Sequence, residues 1–217
     1  MKLSSAIPEY PYPYQSGRML REASQAVEEW EDLLDSISSA TDSELEVRRE
    51  ELLGHASWLI NAVKRGEWRI LDDPQMPRDA KTDFIYYPTC LGLATLAAIR
   101  SRFGVDDARL NSVIIGVSKK IERNGWWMGN GYDRYCQMCK NLSAFEKGGL
   151  IAMWQSDGTR FEKICSALTA VAESMIADPD AWTGDRSGYF KISEREYSSI
   201  LSYLKPLAGE RAVPDSH

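Results

Sequence analysis

Apolar residues recur at intervals of three and four along most of this chain, and that spacing predicts helices rather than strands. From Arg18 to Ile37 the stripe is Leu20, Ala23, Val27, Trp30, Leu34 and Ile37, with Glu28, Glu29, Glu31, Asp32 and Asp35 on the outer face. A second helix, opened by a capping box of Ser43 and Glu46, carries Leu45, Leu52, Ala56, Leu59 and Val63 and ends near Gly66. Pro88 suits the first turn of a third helix, which runs to Phe103 with Gly92, Leu96 and Ile99 on one face and Ala94, Ala97 and Ala98 beside them. Gly104 then terminates it, and Asp106 caps a fourth helix with the stripe Leu110, Val113, Ile114, Val117 and Ile121.

Beyond residue 141 the pattern repeats. A helix from Leu142 to Trp154 leads through the turn Gln155–Gly158 into another that starts at Thr159, with Glu162 as box partner, and buries Phe161, Ile164, Leu168, Val171 and Met175. Residues 178–192 read as a loop displaying Trp182 and Tyr189, and a last helix starts at Ser193 with Glu196 and buries Tyr197, Ile200, Leu201 and Leu204. The expected fold is therefore all-α, about seven helices in antiparallel hairpins, arranged as a bundle or as part of an α/α toroid. Turns near Gly104 and Asp157, some fifty residues apart, hint at a repeated hairpin.

Prolines 8, 11 and 13 keep the start of the chain out of helix, so residues 1–17 read as an extended Pro/Tyr arm and residues 207–217 as a frayed tail. Residues 66–87, with Trp68, Ile70, Leu71, Pro74 and Pro77, are irregular. Neither flank looks self-sufficient, so residues 1–217 are taken as one domain.

Charge changes the picture modestly. Lys and Arg number 26 against 32 Asp and Glu, a net charge of -6 that disfavours nucleic acid and anionic membranes as partners and suits a basic protein partner, or solubility alone. With no apolar run of about 18 residues and no signal-like start, the expectation is a cytoplasmic protein whose four cysteines are thiols.

The segment from Asn124 to Asn141, NGWWMGNGYDRYCQMCKN, is the unusual one. Three glycines give backbone freedom, four large rings argue against disorder, and its length exceeds an ordinary connector. Its rings either plug one end of the core or face outward as anchors. Cys136 and Cys139 supply two of the four ligands a structural zinc needs, and Cys90 and Cys165 sit inside helical stripes, so no metal and no cofactor are expected. A thioredoxin-like role would need a βαβ context, which the pattern lacks. His55 has only His217 as a possible partner imidazole.

Two functions follow as expectations. The first is a small acidic module that binds a protein partner, as an inhibitor, immunity factor or adaptor does, through Trp126, Trp127, Asn130, Tyr132, Asp133, Tyr135 and Asn141. The second is an enzyme with an aromatic-walled pocket for a small molecule, sugar or lipid-like substrate, in which Asp133 or Glu146 carries the proton. A purely structural or oligomeric role is the third.

Overall fold

The computed structural model describes residues 20–64, 87–128, 134–183 and 191–208; the side chains of residues 20–27, 29, 58, 59, 61–64 and 126 are also outside the description. The Pro/Tyr arm and residues 66–86 of the irregular 66–87 stretch expected from the sequence lie outside the described residues, and its last residue, Tyr87, opens a helix instead. Among those residues ten α-helices form a helical bundle: α1 Leu20–Ser39, α2 Asp42–Val47, α3 Arg49–Lys64, α4 Tyr87–Phe103 and α5 Ala108–Asn124, then α6 Arg134–Lys147, α7 Leu150–Ser156, α8 Glu162–Ala177, α9 Pro179–Trp182 and α10 Glu194–Leu204. Short 3-10 turns add Trp126–Met128 and Lys205–Leu207, and the only extended pairing among the described residues is the bridge between Thr183 and Ile192.

Helix α4 is the centre. Every residue from Tyr87 to Ile99 is buried, and α1, α3, α5 and α6 all pack on it. A helix apolar on every side needs neighbours on every side, and the alanines of α4 let them come close. At Gly148, just after α6, an added Cβ would stand 2.6 Å from the Ala94 carbonyl oxygen. The chain bends there: α6 stops at Lys147, and Gly149 takes a left-handed φ of 69° before α7 begins. The single helix expected over 142–154 is thus two helices with a glycine contact between them.

The helix ends show which caps were chosen. The Ser193–Glu196 box forms as expected, with Ser193 accepting from the Glu196 amide. The box at α2 is Thr41–Glu44 instead, two residues before Ser43–Glu46, and the chain breaks at Arg48 before α3. Asp107, not Asp106, caps α5 by accepting from the amides of Arg109 and Leu110. Gly104 (φ 55°) ends α4, and the Val105 amide bonds back to the Arg100 carbonyl at 3.0 Å.

Helix α8 has no side-chain cap of its own, because Phe161 occupies the N-cap and Thr159 lies outside the helix. Glu122 of α5 fills that role from across the fold. Its carboxylate accepts the Ile164 amide at 3.2 Å and the Lys119 ammonium at 2.8 Å. Lys119 also donates to the Arg160 carbonyl and sits 5.0 Å from the centre of the Phe161 ring. At the other end of the bundle Arg102 of α4 donates to the carbonyls of Ile37, Ser38 and Ala40, the last at 2.6 Å, and so satisfies the end of α1. Ala208, the last described residue, is buried, so residues 207 and 208 of the expected tail pack on the body, and residues 209–217 lie outside the described residues.

Candidate functional site

The structure shortens the central loop. Helix α6 starts at Arg134, eight residues before the expected Leu142, which leaves residues 125–133 as the connection and places Tyr135, Cys136, Cys139 and Asn141 on a helix. Gly125 closes α5 in the left-handed region at φ 62°, with its amide bonded to the Ile121 carbonyl at 2.8 Å.

Two residues expected at a binding surface are interior. Trp127 is only 2 % exposed, and Asn141 is fully buried. Burying the indole removes a large apolar area from water, but it takes the Trp127 carbonyl inside as well. Asn141 answers that need: its Nδ2 donates to Trp127 O at 3.2 Å and to Gln137 O at 2.9 Å. Tyr135 is half-buried and packs on Trp182, with ring centroids 4.7 Å apart. Trp182, expected on display, is buried and donates its indole N–H to Ser174. Trp127 fixes the 3-10 turn after α5 to the body, and the Tyr135–Trp182 pair joins α6 to α9. The Trp126 side chain and residues Asn130, Tyr132 and Asp133 lie outside the described residues, and Glu146 is exposed on α6.

A different feature stands out on the surface. Helices α1, α4, α6 and α10 enclose a cleft of about 240 Å³. Leu34, Leu91, Ala144 and Ile200 supply its apolar lining, and Glu31, Asp35 and Glu196 face it together with Lys140 and Lys147. Glu146 is not among its lining residues, and Cys136 and Cys139 are.

The polar groups of the cleft hold one another. Tyr87 donates its hydroxyl to Glu31 at 2.5 Å, Lys147 pairs with Asp35, and the Lys140 ammonium lies 5.7 Å from the centre of the Tyr87 ring. Burial, reinforced by the Glu31 charge, pushes the Tyr87 phenol far above its usual range, so it stays protonated. The Ser193 hydroxyl and amide hold the Glu196 carboxyl below its usual value, with Lys140 adding to the effect, so it stays ionised. Neither group is set to carry protons near neutral pH. They act as a fixed donor and a fixed charge. Burial, with Cys136 alongside, pushes the Cys139 thiol up to about 12.

Among the described residues no group of three or more His, Cys, Asp or Glu side chains is placed to hold a metal ion, and no helix is long and apolar enough to cross a membrane. Sequence reasoning missed the cleft because its walls come from four separate helices. A signal existed in part: Lys140, Ser143 and Lys147 recur at three and four on α6, and Glu28, Glu31 and Asp35 on α1, each set tracing one polar face. Comparison of the chain with protein-family models, with curated proteins and with solved structures returns no match.

Proposed function

We propose that this chain is a small acidic binding module for a protein partner, of the inhibitor, immunity-factor or adaptor kind, and that the partner engages the α1 rim and the cleft beside it. The observation that carries this reading is the cleft itself. At about 240 Å³ it is smaller than the roughly 300–1,000 Å³ of ordinary small-molecule sites, and it suits an inserted side chain better than a whole substrate. Within it Glu31 accepts the Tyr87 hydroxyl, Asp35 pairs with Lys147, and Glu196 is held by Ser193. The exposed acids Glu28 and Asp32 continue along α1 from the cleft, which favours a partner that presents Lys or Arg there.

The test compares two baits. Wild-type protein and a Glu28→Lys, Asp32→Lys variant are each used for capture from the native host, with circular dichroism to check that both are folded. The reading expects a partner retained by the wild type, lost by the variant, and released from the wild type by raised salt. Identical recovery by both baits would sink it.

A further inference from the structure

We propose that Cys136 and Cys139 form a reversible dithiol–disulfide pair at the wall of the cleft, and that the pair exchanges with small soluble disulfides. Placing the motif on a helix rather than in a loop is what makes this possible. Cys136 is the third residue of α6 and Cys139 the sixth, so the two lie on one helical face. Residues three apart on a helix have Cβ atoms about 5–6 Å apart, against the roughly 3.5–4.5 Å of a disulfide. Closure therefore needs a small inward shift. Cys136 sits in the first turn of its helix, where 3-10-type tightening is common and brings side chains at i and i+3 into line.

The two thiols are unequal in access. Cys136 is half-buried, Cys139 is 4 % exposed, and both line the cleft. An incoming disulfide therefore meets Cys136 first. Lys140, four residues on, lines the same cleft, and the thiolate form of Cys136 is the nucleophile. That thiolate attacks one sulfur of the reagent, whose S–S bond breaks. One reagent thiolate leaves and is protonated by water, with Cys136 left in a mixed disulfide. Cys139, held protonated at rest by burial, then attacks the Cys136 sulfur; its proton passes to the departing reagent sulfur, which leaves as the second thiol. Two protein thiols are oxidised to one disulfide, and the reagent is reduced to two thiols.

Cys90 and Cys165 serve as internal references. Cys90 is fully buried within α4, and Cys165 directs its thiol to the Trp154 carbonyl at 3.4 Å. The experiment incubates the full chain in buffers of graded oxidised-to-reduced glutathione ratio, quenches with an alkylating reagent, and maps each cysteine by mass spectrometry. Cys136 and Cys139 should leave the alkylatable pool together as a mutual disulfide and return together on reduction, with Cys90 protected throughout. Cys139→Ser should stop at glutathione on Cys136, and Cys136→Ser should leave Cys139 unmodified. The proposal fails if wild-type protein retains glutathione on Cys136 alone. It also fails if both thiols remain alkylatable under excess oxidised glutathione, or if pairing occurs only once Cys90 becomes reactive, since that reaction belongs to the unfolded chain.

Discussion

Helices α4 and α6 pack on each other, yet they are built on opposite plans. Along α4 an unbroken run from Tyr87 to Ile99 is buried, and the helix shows no polar stripe at all. In α6 Met138, Leu142 and Phe145 face inward, and Lys140, Glu146 and Lys147 face out. A helix surrounded by neighbours contributes packing and has little surface to offer a ligand. A helix with one wet face can position charges and thiols, because the other face is anchored to something rigid. The contact of Gly148 with Ala94 joins the two plans.

The sharpest way to break the contrast is to hollow out the central helix. Leu96→Ala removes a fully buried side chain and should cost roughly 2–5 kcal/mol in chemical denaturation. Next is Gly148→Ala. Its new methyl meets backbone atoms of Ala94, which cannot swing aside, so a loss of about 1–3 kcal/mol is expected. Gly116→Ala on α5, with nothing within 4 Å of the added Cβ, should instead gain about 0.5–1 kcal/mol through helix propensity. A similar response at both glycines would refute the close-approach account.

A smaller effect is expected at Glu122→Gln, about 1 kcal/mol at neutral pH for the weakened cap on α8. Burial alone would raise the Glu122 pKa, but donation from Lys119 and the amides of Ile164 and Lys163 outweighs it and holds the carboxyl below its ordinary 4.5. The unfolded chain then binds this proton more readily than the folded one. The contribution is complete above the ordinary value and is lost as the pH falls through the folded one. Denaturation midpoints below pH 5 should flatten in the variant relative to wild type. The smallest effect belongs to the wet face: Lys140→Gln should alter stability by less than about 0.5 kcal/mol and slow the first exchange step of Cys136 with an anionic disulfide such as oxidised glutathione.

Much of the scaffold was legible along the chain, for reasons particular helices make plain. In α5 and α8 each expected stripe residue is buried, because one face meets the core and the other meets water. Helix α4 offered less periodic information, since burial on all sides erases the contrast on which a period depends. Box patterns were ambiguous for another reason. Ser43–Glu46 and Thr159–Glu162 satisfy the spacing, but where α1 ends selects Thr41, and Glu122, 42 residues before the Ile164 amide it accepts, supersedes Thr159. The candidate site was least legible. Glycines and rings made residues 124–141 look like one long loop, whereas the Asn141 amide, bonded back to Trp127, belongs to a helix that starts early. The cleft required knowing which four helices meet.

The donated cap on α8 gives the fold a direction in time. Helix initiation is its costly step, and α8 must borrow what it needs from a residue already in place. Read from N-terminus to C-terminus, as a ribosome delivers it, the chain presents the acceptor before the segment that requires it. A permuted version beginning at the α7–α8 turn would present the two in reverse, and α8, now the first helix, would wait uncapped for α5 to arrive.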